Sequence, residues 1–442
     1  MDFPASKLER GALFARAGLK VGTNYAKYYA QRTLADKEQA RRDKSALHRD
    51  NANDIFRQFA KLRGTALKLA QSLSLDNGAL PDEFAEVMAQ AQYQVPPMNR
   101  ALVRSRIKQE LGAYPEQAFA RFTPEAVAAA SIGQVHRARL KDGTPVAVKI
   151  QYPNMRQTID SDLALARTLF GPLIGDSADA YFAEVRQKLL EETDYINEGR
   201  QLEQFSQLYQ HPAIVTPRLV GPLTTERVLT MTFVEGQHLG PYLQGAPPAA
   251  ERDAYGQLLW DFFHQQVADG SYAMHADLHP GNFLFRADGK LGMLDFGCVK
   301  HFPKSFIHTC MALLEGHLAD DPQGLKQLYY REHILDEAQS DNAAEEEAFA
   351  YFRTLGKTLV QPYRSERFDF GQPDYRSALN QLFRSGPKVQ PRVSPHFIFL
   401  NKVQAGLYSL LMKLGARVDT RASRRIVARL ATELAPAQPS GA

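Results

Sequence analysis

One short stretch restricts this chain more than any other. It reads His275-Ala276-Asp277-Leu278-His279-Pro280-Gly281-Asn282 and is followed, after an apolar run, by Leu294-Asp295-Phe296-Gly297. Asn282 stands five residues after Asp277, and Asp295 eighteen after it. Two strand candidates, Phe283–Phe285 and Leu291–Leu294, lie between them and flank the turn signal Asp288-Gly289. Polar groups at the ends of two paired strands are held at fixed places, so the spacing predicts a constellation rather than a solvated loop. Hard divalent cations take oxygen donors, which Asn282 and Asp295 supply, while Asp277 offers a carboxylate to orient or deprotonate an attacking group.

A second element lies upstream. Val146, Val148 and Ile150 alternate with Ala147, Lys149 and Gln151 after the turn signal Lys141-Asp142-Gly143, which predicts a strand with one lysine opposite its β-branched face. An Asp, an Asn five later, an Asp opening a DFG and a lysine on a strand far upstream are the parts that kinases use for base, metal ligands and phosphate cation. The glycine-rich loop expected before that strand is replaced by Ala128-Ala129-Ala130-Ser131-Ile132-Gly133-Gln134-Val135-His136, with a single glycine. Neither GxGxxG nor GxxxxGK[ST] occurs, which excludes the Rossmann and P-loop readings as far as motifs can.

The rest of the chain frames these motifs. Residues 1 to about 120 read as helical, with Ile55, Phe59, Leu62, Ala66, Leu69 and Leu73 on one face and Pro81 and Pro96-Pro97 separating helices. Strand-like texture begins near residue 127 and returns at Arg227 to Val234, with a helical stretch from Ile159 to Glu203 between. From about 250 the chain is helical again. Leu258, Leu259, Phe262, Phe263 and Val267 mark a buried helix that Gly270 ends, and all beyond about 303 reads as helix up to a Pro/Ser/Gly tail. The expected divisions are a helical extension over 1–124, a small β-rich lobe over 125–236, a helical lobe over 237–435 and a flexible tail over 436–442.

Composition removes several alternatives. Lys plus Arg number 53 against 49 Asp plus Glu, a net charge of +4 and far short of the density of a dedicated nucleic-acid binder. Cys298 and Cys310 come without a CxxC or a Cys/His cluster, so neither a disulfide framework nor a structural zinc is expected, which suits a reducing compartment. The most apolar late stretch, Phe397 to Leu414, is broken by Asn401, Lys402, Gln404 and Lys413, and no membrane span is predicted. Lys7, Glu9, Arg10 and Arg16 interrupt any secretory h-region. Leu8, Ala12, Ala15 and Leu19 repeat at helical spacing beside Arg10, Arg16, Lys20 and Lys27, a pattern that suits an anionic membrane surface and a helix packed on the lobe equally. His275, His279, Cys298 and Trp260 read as packing residues rather than ligands.

The motifs together resemble the UbiB-like atypical kinases, the ADCK or coenzyme-Q-linked family of the protein-kinase-like fold. The family's Ala-rich loop stands here as Ala128 to His136. Its ExD and YxxE motifs are Glu192-Thr193-Asp194-Tyr195-Ile196-Asn197-Glu198, and its KxGQ helix is Lys68-Leu69-Ala70-Gln71, with Ala70 in place of glycine. The resemblance spans roughly residues 50 to 310. It implies an α+β, bilobal protein-kinase-like fold with an α-helical N-terminal extension and a helical C-terminal lobe. It implies ATP and Mg2+ as cofactors and Glu198 as the ion-pair partner of Lys149. Ala128, Ala129, Ala130, Ser131 and Gly133 would line the nucleotide, Lys68 and Gln71 would face it, and Glu192 and Asp194 would hold Lys68 or a second metal.

The activity implied is Mg-ATP binding with hydrolysis or phosphotransfer. It would support isoprenoid-quinone biosynthesis or lipid homeostasis, with a lipid or quinone-precursor ligand and a cytoplasmic location peripheral to the inner membrane. Ala276 stands where many protein kinases carry an arginine, and no Ala-Pro-Glu closes an activation segment, so apparatus for seating a peptide is not visible. Two other readings stay open at this point. One is a small-molecule phosphotransferase of the aminoglycoside- or choline-kinase type, with which Leu278–Asn282 is shared. The other is a pseudokinase scaffold, against which the retained catalytic and metal residues argue.

Overall fold

A computed structural model describes residues 19–28, 37–62, 69, 83–84, 87, 98–130, 132–174, 178–296, 299–340, 342–385 and 395–434. The described chain forms two compact units. The first comprises residues up to Arg200 plus Arg218–Phe233, and the second Gln201–Pro217 plus Val234 onward.

The first unit is built on a four-stranded antiparallel sheet of order β1-β2-β3-β5: β1 (Arg121–Ala130), β2 (Gly133–Arg139), β3 (Pro145–Gln151) and β5 (Val228–Thr232). Strand structure begins at Arg121, ahead of the texture change near 127. Phe122 packs on Phe119 and on the buried His136, so apolar burial extends the pairing to positions whose local pattern is weak. The register puts Gly133 opposite Gln151 and Val135 opposite Lys149. One core lies between this sheet and the helix α2 (Arg100–Leu111), with Val103, Ile107, Phe119, Val146, Val148, Ile150 and Leu229 inside it.

A second core of the same unit joins α1 (Lys37–Leu62) to α3 (Met155–Ile174) and α4 (Ala178–Glu192). Ile55, Phe56, Leu69 and Phe84 are buried there with Ile159, Phe170, Phe182, Val185 and Leu189. The stretch read as helical from Ile159 to Glu203 is thus divided among α3, α4 and α5 (Tyr195–Leu208). Lys68, Ala70 and Gln71 lie outside the described residues, as do Leu8, Ala12 and Ala15. Leu19 is 73% exposed.

The second unit is mainly helical and carries three small sheets. β4 (Ile214–Val215), β8 (Leu291–Met293) and β7 (Phe283–Phe285) form one, β6 (Ala273–His275) and β9 (Val299–His301) another. The reading of unbroken helix after about 303 is corrected by the third: β10 (Arg367–Asp369) pairs antiparallel with β11 (Arg417–Asp419). Three-residue strands separated by nearly fifty residues leave no period-2 pattern to detect, and their pairing comes from tertiary packing around Phe368 and Val418. The helix α6 (Ala249–Ala268) is capped before Gly270, whose φ of +79° takes the left-handed turn. Trp260 on α6 is fully buried, with its indole N–H donating to Ser423 at 2.9 Å. Further on come α7 (Lys304–Ala319) and α8 (Pro395–Leu414). Among the described residues no helix is long and apolar enough to cross a membrane.

Candidate active site

In the first unit the predicted cation is held rigidly. Lys149 Nζ donates to both carboxylate oxygens of Glu198, at 2.8 and 2.9 Å, and lies 4.9 Å from the centre of the Tyr195 ring. Both charged side chains are under a tenth exposed. The Lys149 face of β3 is therefore covered by α5, which carries Tyr195 and Glu198 one turn apart. That placement follows from the cap: the Asp194 carboxylate accepts the Asn197 amide at 3.0 Å and starts α5. Gln151, two residues beyond Lys149, donates to the Thr193 carbonyl at 3.1 Å and fixes the same corner. Glu192 and Asp194 thus flank the point where α4 passes into α5.

The Ala-rich segment is not a free loop. Ala128, Ala129 and Ala130 form the end of β1, paired with Val135, Gln134 and Gly133 across a tight hairpin; Ser131 lies outside the described residues. Gly133 has a steric reason: a Cβ there would stand 2.3 Å from the Ile150 carbonyl oxygen. Two buried side chains brace the hairpin. His136 Nδ1 donates to the Thr123 carbonyl at 2.9 Å, so its Nε2 accepts from Gln134 at 2.7 Å, and Gln134 Oε1 accepts the Met98 amide at 2.6 Å. Burial depresses the His136 pKa and keeps the ring neutral, as this arrangement requires. Sequence reasoning quoted Gln134 and His136 without giving them a role.

The second unit gathers Asp277, Asn282 and Asp295. Asn282 Nδ2 donates to the Asp277 carboxylate at 2.9 Å and to its carbonyl at 3.0 Å, in a 3-10 turn capped by His279. With its nitrogen so engaged, Asn282 presents its amide oxygen as the atom for a cation. His275 joins the two motifs: Nε2 donates to the Asp295 carbonyl, and Nδ1 accepts the Asp277 amide at 3.4 Å. The ring is fully buried, and desolvation lowers its pKa, so a neutral imidazole serves as the strut. Its own amide donates to Gln266 Oε1 of α6 at 2.6 Å. The Leu294 amide, just ahead of Asp295, donates to the Asn282 carbonyl at 3.0 Å. His275 and His279 act as packing and capping groups, as expected; Cys298 lies outside the described residues.

The donor set fits Mg2+. Asn282 and Asp295 provide two hard oxygens, and Mg2+ is commonly held through one or two such groups together with phosphate and water oxygens. Among the described residues no group of three or more His, Cys, Asp or Glu side chains could hold a metal by itself. One charged neighbour was missed by sequence reasoning: Lys402 Nζ on α8 lies 2.9 Å from Asp277 Oδ1. Its only sequence trace is a polar break in an otherwise apolar stretch.

Comparison with known proteins agrees with this geometry. Residues 90–329, over half the chain, match the family described as the ABC1 atypical kinase-like domain. The chain is similar to the mitochondrial atypical kinase COQ8 of Saccharomyces cerevisiae, at 30% identity over 383 residues covering 83% of this chain and 74% of that one. It is also similar to the mitochondrial atypical kinase coq-8 of Caenorhabditis elegans, at 27% identity over 84% of this chain and 50% of that one. Among solved structures, Rv3197 of Mycobacterium tuberculosis, determined in complex with erythromycin, superposes with a TM-score of 0.61 at 25% identity, covering 91% of this chain and all of that one. With its α+β kinase-like fold, its Lys149–Glu198 pair and its Asp277, Asn282 and Asp295 constellation, the chain belongs to the ABC1/COQ8 family of atypical kinases, the UbiB-like group.

Proposed function

We propose that the chain binds Mg-ATP and transfers or hydrolyses its terminal phosphoryl group in support of isoprenoid-quinone biosynthesis, acting at a membrane surface on a lipid-soluble phenolic precursor or an associated lipid. The observation that carries this reading is the His275 strut, which ties the Asp295 backbone to that of Asp277, whose carboxylate accepts Asn282. Asp277 accepts the proton of the attacking hydroxyl or water, and Asn282 keeps that carboxylate oriented. Lys149, fixed by Glu198, meets the α- and β-phosphates. Asn282 and Asp295 would hold Mg2+, which when bound would supply positive charge against the phosphate oxygens. Lys68 and Gln71 complete the nucleotide environment in this proposal. Support for that comes from Leu69, which stands between them and is buried in the core that includes Leu189, one turn before Glu192. The quinone assignment is supported by similarity to the COQ8 kinases.

The test is phosphate release from Mg-ATP by the purified chain, with and without anionic vesicles and phenolic quinone-precursor analogues. The expected result is turnover that rises with vesicles or phenols and is lost in Asp277→Asn. Turnover unaffected by Asp277→Asn would refute the assignment of the base, and indifference to vesicles and phenols would refute the membrane and quinone part.

A further inference from the structure

Lys402 sits beyond every motif that defines the site, yet its ammonium touches the carboxylate of Asp277. The loop from Asp277 to Asn282 contains no lysine or arginine, so this positive charge comes from α8, 125 residues away in sequence. A half-exposed ion pair is ordinarily worth little to stability. Its placement here is built, however. One turn after Lys402, Gly406 lies against the catalytic loop so closely that a Cβ would stand 2.8 Å from the Leu278 carbonyl oxygen and 3.0 Å from Leu278 Cβ. Val403, Leu407 and Leu410 are completely buried and fix the helix on the same side. One turn before, Phe399 receives Lys300 Nζ at 4.7 Å, from the segment just after Asp295. Three successive turns of α8 therefore engage the regions of Asp277, Leu278 and Asp295.

Building on the phosphoryl-transfer reading above, we infer that Lys402 is a positioning residue for Asp277 and the phosphate-facing cation of the transfer step. In that step the acceptor oxygen forms a bond to the terminal phosphorus, the bond from phosphorus to the β-phosphate bridging oxygen breaks, and ADP leaves with that electron pair. The acceptor's proton passes to Asp277. Charge on the equatorial oxygens is highest as the group moves, and an ammonium 2.9 Å from the accepting carboxylate stands beside the group being attacked. Such a cation acts on the transition state more than on bound ATP.

The experiment compares wild type, Lys402→Met and Lys402→Arg. It follows ATP turnover, Mg-ATP affinity, unfolding temperature and thermal stabilisation by Mg-ADP with aluminium fluoride, a mimic of the phosphoryl group in flight. Lys402→Met should lower kcat about 10- to 100-fold, at or below the roughly 100- to 1,000-fold loss for one preorganised donor because the ammonium is partly solvated. KM and unfolding temperature should hardly move, and the extra stabilisation by aluminium fluoride over Mg-ADP alone should vanish. Lys402→Arg should restore most of both. Unchanged kcat and unchanged aluminium-fluoride stabilisation in Lys402→Met would overturn the inference, as would a loss that simply follows a lowered unfolding temperature. Failure of wild type itself to bind Mg-ATP would overturn the underlying reading and this inference with it.

Discussion

Breaking the Lys149–Glu198 pair from either side should destabilise the first unit far more than removing it whole. The two N–O distances of 2.8 and 2.9 Å give an attraction of about 6 kcal/mol at an effective dielectric near 20. That attraction is largely offset by the desolvation of two side chains only 8% and 9% exposed. The pair as a whole therefore contributes little net stability, whereas removing one partner of a buried pair costs about 3–5 kcal/mol. Lys149→Met takes the ammonium from the Glu198 carboxylate. Glu198→Met takes the carboxylate from the ammonium and keeps the contact with the Tyr195 face, worth about 0.5–2 kcal/mol. Each single variant should lower the unfolding temperature by roughly 10 °C, given about 2–4 °C per kcal/mol for a unit of this size. The Lys149→Met/Glu198→Met double variant should return close to wild type while remaining unable to bind Mg-ATP. Thermal unfolding of all four proteins, each with and without Mg-ATP, measures both effects. Additive losses in the double variant, or single variants as stable as wild type, would refute the argument that the pair is a tightly coupled buried unit.

On the proposed metal role, Asp295→Asn should abolish the Mg-dependent part of thermal stabilisation by ATP without changing the ligand-free unfolding temperature; an unchanged ligand shift would take Asp295 out of the metal site. Gly133→Ala should destabilise the first unit by about 1–3 kcal/mol, because its Cβ would meet the Ile150 carbonyl oxygen at 2.3 Å, and a variant as stable as wild type in denaturant melts would contradict that packing. His264 and His317 are buried with pKa values lowered to about 4 by desolvation. The unfolded chain, with pKa near 6.5, then binds more protons between pH 6.5 and 4, so stability present above 6.5 should fall as pH drops through that window, by on the order of 3 kcal/mol for each histidine. Melts of His264→Gln and His317→Gln that keep the full wild-type acid slope would dismiss this cause.

The residues proposed to make the chemistry were the most legible, because phosphate, metal and base chemistry demands particular residue types at fixed separations. Asp277 and Asn282, five apart, are hydrogen-bonded, and His275 links the Asp295 carbonyl to the Asp277 amide. The strand Phe283–Phe285 falls where its apolar run and the following Asp288-Gly289 turn place it. The Lys149 to Glu198 pairing was reached only through resemblance to a family, since nothing local in sequence says which of many glutamates will cross 49 residues to a strand lysine. Illegible parts were those fixed by tertiary contact. The β10–β11 pair is too short to carry a period, the alanines of β1 lack strand propensity and are recruited by β2, and Lys402 reaches Asp277 because Gly406 lets a distant helix lie on Leu278.

Calorimetric titration of ATP into the purified 442-residue chain, in Mg2+ and in EDTA, tests the account at its centre. Binding should be one-to-one and Mg-dependent, weakened at least tenfold in both the Lys149→Met/Glu198→Met variant and Asp295→Asn. An absence of ATP binding in Mg2+, or binding of equal strength in EDTA and in all these variants, would contradict it.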